Sequence, residues 1–203
     1  MSDPSPITRG FHGRSKDNTD HRLPPGQYLT TDFPVLSAGP TPHTSQDQWD
    51  FMIDAGGPAL ARWSWAEFLA LPSEDVTVDI HCVTHWSKFG THWRGVSLDT
   101  LLDLAGRQAP YLLARCDGGY TTNLALEDVT GGKAWVVYQY EGQPIAPEHG
   151  GPVRLLVPHL YFWKSAKWVR SLHLMPQDQP GFWESFGYNN HGDPWKEERY
   201  WNQ

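Results

Sequence analysis

Alternation of apolar and polar positions is clearest over Val76–Val83, where Val76, Val78, Ile80 and Cys82 face one way and Thr77, Asp79 and His81 the other. A period of two predicts a half-buried strand. It leaves Cys82 on the apolar face, at the end where the chain turns polar. Upstream, Ser64-Trp65-Ala66-Glu67 has the spacing of a capping box. That predicts a short helix through Phe68, Leu69 and Leu71 that stops before Pro72. A second helix, capped by Ser97, carries Leu98, Leu101, Leu102 and Leu104 and ends at Gly106. Between the strand and this helix, Thr84–Gly95 reads as a polar, aromatic connector. Tyr111–Cys116 and Tyr120–Leu124 predict a hairpin about Asp117-Gly118-Gly119, and Ala134–Tyr140, Val153–Pro158 and Trp168–Met175 predict further strands. Gln143–Gly151 is too rich in Pro and Gly to be regular, and Gly192-Asp193-Pro194 forbids a long helix in the tail. Mixed strands with two short helices predict an α+β protein. Residues 1–48 carry no sustained period; 1–22 read as an irregular arm ahead of one domain over 23–203.

A chain of 203 residues can bury a sizeable core. Its formal charge of -7 argues against nucleic acid or an anionic membrane as the main partner. No stretch is long and apolar enough to span a membrane, and the start lacks an export signal, so the expected location is cytoplasmic. Two cysteines do not make a disulfide framework. Eleven Trp and seventeen Pro, many of the Trp beside Gly, Pro or Lys, suggest rigid aromatic loops walling a cavity. Leu23–Pro42 is the irregular stretch placed to close over a ligand.

Three chemistries compete for these residues. Cys82 opens a loop carrying His85, Trp86, Lys88, His92 and Arg94, and nearby cations favour the thiolate that binds metals or attacks carbon. Cys116 reads as a small core hydrophobe. A zinc site at His81, Cys82 and His85 fails on geometry, because successive strand residues point to opposite faces. A cysteine hydrolase with Cys82 as nucleophile stays open. Arg154 follows Gly150-Gly151-Pro152, and Lys164-Ser165-Ala166-Lys167 follows an aromatic loop. Small residues there let backbone N–H groups approach a phosphate, with Lys164, Lys167 and Arg154 supplying charge.

Taken together, Cys82-Val83-x-x-Trp86-Ser87, Trp93-x-Gly95-x-x-Leu98, His149-Gly150-x-Pro152-Val153-Arg154-Leu155-x-Val157-Pro158 and Lys164-Ser165-x-Lys167-Trp168 resemble the molybdopterin-binding domain of the sulfite oxidase family. The nearest pattern is the catalytic subunit of the methionine-sulfoxide reductases. The resemblance runs from about Leu29 to Trp195. It implies a mixed-sheet fold with long irregular loops and a single molybdopterin whose molybdenum takes Cys82 as a protein ligand. It further implies that Arg154, Lys164, Ser165, Ala166 and Lys167 hold the cofactor phosphate and that His149 contacts the pterin, with Thr122 a further cofactor contact. His85, Trp86 and His92 become candidates for the substrate pocket. The implied activity is oxygen-atom transfer with a two-electron change at molybdenum, on a small S- or N-oxide or by sulfite-type oxidation, with no haem in this chain and electrons exchanged with a separate partner. Sulfite oxidases place arginine soon after the ligand cysteine; Val83, Thr84, His85 and Trp86 stand here instead, against sulfite itself. A cofactor-binding or interaction module without turnover is the alternative of a different class.

Overall fold

The computed structural model describes residues 21–201. In chain order its elements are β1 (Tyr28–Leu29), β2 (Asp50–Asp54), β3 (Ala61–Ser64), α1 (Trp65–Leu69), β4 (Glu74–His81), β5 (Trp86–Ser97), α2 (Leu98–Ala105), β6 (Tyr111–Cys116), β7 (Thr121–Ala125), α3 (Leu126–Val129), β8 (Trp135–Tyr140), β9 (Gln143–Pro144), β10 (Arg154–Leu156), β11 (Val169–Met175) and α4 (Phe182–Ser185). All but the last two residues of the arm expected over 1–22 lie outside the described residues. Those two include Arg22, which forms a fork to Asp79 on β4.

Two mixed sheets carry the fold. In the first, β5 is flanked by β4 and β8, continues through β8 to β10, and takes β1 in parallel at its start. The second has the order β3-β2-β11-β6-β7, with β2 and β11 parallel. This is the α+β architecture with short helices that the element order predicts.

Local chemistry explains the helices. Ser64 accepts from the Glu67 amide while the Glu67 carboxylate accepts from the Ser64 amide, closing the box that starts α1. Ser97 caps α2, and Gly106 ends it in the left-handed region at φ 64. The main core packs α1 and α2 against both sheets through Phe51, Phe68, Leu98, Leu101, Leu112 and Val136. A smaller core of Ile80, Trp86, Trp93, Trp135, Val137 and Leu156 takes in Cys82.

The connector expected over Thr84–Gly95 is instead mostly β5, the longest strand. Two of its polar residues, Ser87 and Thr91, are fully buried and paired. Thr91 donates to the Val78 carbonyl at 2.6 Å and accepts the Trp93 indole N–H at 2.8 Å, while Ser87 bonds the His81 ring at 2.8 Å. The sheet thus supplies partners that make polar strand residues cheap to bury. β2 and β3, a hairpin around Gly56-Gly57, are also additional to the sequence reading.

Candidate active site

The β4–β5 connection sets the geometry. The Cys82 amide donates to the Trp86 carbonyl at 2.8 Å and the His85 amide to the Cys82 carbonyl at 3.0 Å. Val83, Thr84 and His85 therefore form a tight turn, with His85 in the left-handed region at φ 73. The segment before β1 braces it: the Gln27 side chain donates to the Cys82 carbonyl at 3.1 Å, and the Tyr28 amide donates to the His85 carbonyl at 2.8 Å. The Cys82 thiol is thereby fixed at the wall of a cavity of about 480 Å³, the larger of the two described. Cys116 stays in the main core and does not line it.

Stretches far apart in sequence wall this cavity: 33–40, the Cys82 turn, the β6–β7 turn at Asp117–Tyr120, the loop from Phe162 to Trp168, and Phe182, Trp183 and Tyr188 from the tail. The last group, with Phe33 and Phe162, went unassigned in the sequence reading. Only the enrichment in aromatics beside Gly and Pro pointed that way. Residues 33–40 fall inside the stretch singled out for closing over a ligand. Phe33 stacks on the His149 ring with centroids 4.1 Å apart and planes 10° from parallel.

His149, Arg154, Ser165, Ala166 and Lys167 come together on the cavity wall. Gly150 makes this possible. It sits at φ 108, and a side-chain carbon there would stand 3.1 Å from Cβ of Arg154 and 3.0 Å from Cβ of Lys167. The buried Arg154 guanidinium donates to the His149 carbonyl at 2.7 Å and the Ser165 carbonyl at 2.6 Å, and lies 4.1 Å over the Phe162 ring. Burial pulls its pKa down to about 9, which leaves it charged at neutral pH. Lys167 donates to the carbonyls of Leu36 at 2.7 Å and Glu148 at 2.8 Å. Burial, then the Arg154 charge, bring its pKa down to about 8. Among the described residues neither cation is paired with a carboxylate. Burial and the same Arg154 charge push His149 toward its neutral form. The Cys82 thiol is pushed up by burial, against hydrogen bonds from Thr84 and Val83 and the Arg154 charge.

Four of the sequence candidates lie elsewhere. Lys164 is fully buried, 2.7 Å from the Glu184 carboxylate, and donates to the carbonyls of Asn123 and Asn190 at 2.8 and 2.7 Å. Thr122 donates to the same Glu184 at 2.9 Å. Both belong to a network behind the wall, which leaves Lys164 no free N–H for a phosphate. The His85 ring bonds the Gly26 carbonyl at 2.9 Å, outside the cavity, and His92 bonds Thr77 on the sheet surface. Trp86 does line the cavity.

The model of the oxidoreductase molybdopterin binding domain matches residues 38–183. The chain belongs to the sulfite oxidase family of molybdopterin-dependent oxidoreductases. This family member is 39% identical over 194 residues to the uncharacterised oxidoreductase YuiH of Bacillus subtilis strain 168, covering 94% of this chain and 98% of that one. It is 28% identical to the putative protein-methionine-sulfoxide reductase subunit YedZ1 of Azospira oryzae, covering 81% of this chain and 64% of that one. Its fold matches the sulfane dehydrogenase SoxCD from Paracoccus pantotrophus with a TM-score of 0.59 at 20% identity, over 68% of this chain and 40% of that one. The family binds molybdopterin, and the cavity fits such a group. A soft thiol stands at one part of the wall, two cations bonded only to carbonyls at another, and flat aromatic faces line it too, while the one carboxylate of the lining, Asp117, is paired with Arg170.

Proposed function

We propose that this enzyme transfers an oxygen atom to or from a neutral S- or N-oxide in a two-electron reaction, with Cys82 as the protein ligand of the molybdenum. The observation that carries the reading is the position of Cys82: of the two cysteines it alone lines the cavity, on a braced turn facing buried positive charge. When bound, the molybdenum cofactor supplies the two-electron change and the oxygen-atom exchange. The chain's residues bind, orient and exclude water. Arg154 and Lys167, with the loop at Ser165 and Ala166, would hold the terminal phosphate, and His149 would lie against the pterin. Arg154 does this as a charge beneath its loop, since its guanidinium already binds two carbonyls. Lys167 would exchange its carbonyl partners for the anion.

The cavity wall favours an uncharged substrate. Val83, Trp86, Phe182, Trp183 and Tyr188 present apolar and aromatic surface, and in this reading the cofactor phosphate takes up the two cations. A sulfite-like oxyanion would need a free cation near Cys82, whereas an S- or N-oxide needs chiefly an apolar wall. The printed name of the Azospira oryzae relative, a putative protein-methionine-sulfoxide reductase subunit, agrees with this. Electrons would come from a separate protein. A metal-free cysteine hydrolase fits poorly, because burial holds the Cys82 thiol protonated and the His85 ring is turned to Gly26.

The test is elemental analysis of protein from a cofactor-making host, then turnover of an aryl methyl sulfoxide, trimethylamine N-oxide and sulfite with artificial electron carriers. Near-stoichiometric molybdenum and sulfoxide or N-oxide reduction are expected, and Cys82→Ser should keep its fold and lose turnover. Full turnover in that variant, or zinc in place of molybdenum, would sink the proposal. Molybdenum without turnover would leave a cofactor-binding module.

A further inference from the structure

The Cys82 sulfur is surrounded more closely than its position on the wall requires. Thr84 Oγ1 lies 3.2 Å from Cys82 Sγ, within the turn that the two residues share. The tight turn makes this contact possible, and the contacts from Gly26, Gln27 and Tyr28 hold that turn. Thr84 itself faces the cavity.

A hydroxyl can donate or accept, so with a free thiol either atom could carry the bridging proton. A sulfur that holds a metal has no proton. The bond then persists only with Thr84 as donor. A β-branched side chain on a fixed turn has few rotamers to lose on making it.

We infer that the Thr84 hydroxyl donates a hydrogen bond to the metal-bound sulfur of Cys82 and tunes the electron density that this sulfur gives the metal. Thr84 is a positioning residue, acting through Cys82, and the inference rests on the proposed ligation of molybdenum by that residue. Hydrogen bonds to a ligating sulfur withdraw charge from it, which stabilises the reduced metal and raises its reduction potential. Thr84 is the residue of the turn whose side chain bonds the sulfur, so it is placed to set the basicity of the ligand.

The test compares wild type, Thr84→Val, Thr84→Ser and Cys82→Ser, each loaded with cofactor and normalised to bound molybdenum. Two quantities are read: the part of the charge-transfer absorption that Cys82→Ser removes, and the midpoint potential in a dye-mediated titration. In Thr84→Val the band should move to lower energy, because a more basic sulfur transfers charge more easily. The ratio of reduced to oxidised protein at fixed potential should fall about tenfold, or ~30 mV for a two-electron couple. Thr84→Ser, which keeps the hydroxyl, should restore both. An unmoved band and potential in Thr84→Val overturn the inference. So does a Thr84→Ser variant shifted as far as Thr84→Val, which would mean that the methyl group's packing matters and the hydroxyl does not. The ligation reading fails separately, if Cys82→Ser leaves the whole absorption unchanged.

Discussion

Lys164 and Glu184 form the one pair of opposite charges among the described residues in which both side chains are about 1% exposed, with a 2.7 Å contact. Replacing Lys164 by Met keeps the length of the stem and deletes the charge. Glu184 would then be buried with the Thr122 hydroxyl and the Trp163 indole as its remaining donors, each at 2.9 Å. Breaking one side of a buried pair costs about 3–5 kcal/mol, chiefly through the uncompensated charge that stays behind. Against a total stability of roughly 5–15 kcal/mol this is a large share. With a urea slope of about 2.5 kcal/mol/M, a loss of about 4 kcal/mol lowers the unfolding midpoint by roughly 1.6 M. The double variant Lys164→Met/Glu184→Gln removes the stranded charge and keeps an acceptor for Thr122 and Trp163, so it should recover at least half of the loss. It should also load cofactor like the wild type, because Lys164 points away from the cavity. A single variant within about 1 kcal/mol of wild type, or a double variant no more stable than the single, refutes the energetic argument. A folded double variant that cannot hold cofactor would return Lys164 to the phosphate site.

Other expectations follow from the same structure. Arg154→Ala strands the carbonyls of His149 and Ser165; a loss of about 3 kcal/mol, or a melting temperature roughly 6–12 °C lower, should accompany reduced molybdenum content, and unchanged content would misplace the phosphate site. His81 is buried and its pKa is held down at about 4, first by burial. Between the unfolded value near 6.5 and 4 only the unfolded chain takes up the proton, so stability should decline as pH falls through this window, by up to about 3 kcal/mol. A His81→Gln variant should lack that part of the slope in urea titrations; an equal slope would exonerate His81. His191, between Asp128 and Glu198, has its pKa raised to about 9, first by its bond to Asp128. Its contribution should be complete below pH 6.5 and vanish as pH rises past 9, seen as faster amide exchange in the tail at pH 10 than at pH 7 in wild type but not in His191→Gln, after correction for intrinsic rates.

Elements ruled by local chemistry were legible from sequence. Ser64 with Glu67, Ser97 with Gly106, and Asp117-Gly118-Gly119 each specify their own geometry through one or two neighbouring bonds. Cys82 was legible as the end of a strand, because alternation from Val76 onward needs no tertiary partner. Trp86–Ser97 was not legible as a strand. Two of its polar members, Ser87 and Thr91, are buried only because β4 offers them His81 and the Val78 carbonyl, and Gly90 at φ 63 interrupts the alternation. Lys164 misled for a related reason. A lysine beside Ser165 reads as a phosphate contact, and nothing in its neighbourhood announces a carboxylate twenty positions on. Arg154 and Lys167 were legible as cations, but the carbonyls that hold them were not, since backbone acceptors leave no mark in sequence.

The walls of the cavity come from stretches as distant as Phe33 and Tyr188, with the Cys82 turn, the Asp117–Tyr120 turn and the Arg154–Lys167 loop between them. A group seated there touches five stretches spread from residue 33 to residue 188, so it acts as a crosslink without a covalent bond. By mass action, a ligand present at 100 times its dissociation constant adds about 2.7 kcal/mol to whatever it bridges. Loaded and empty forms should therefore differ in the slowest, global opening of the chain as well as around the site. Retention of the cofactor then becomes a direct gauge of how well the entire molecule has folded.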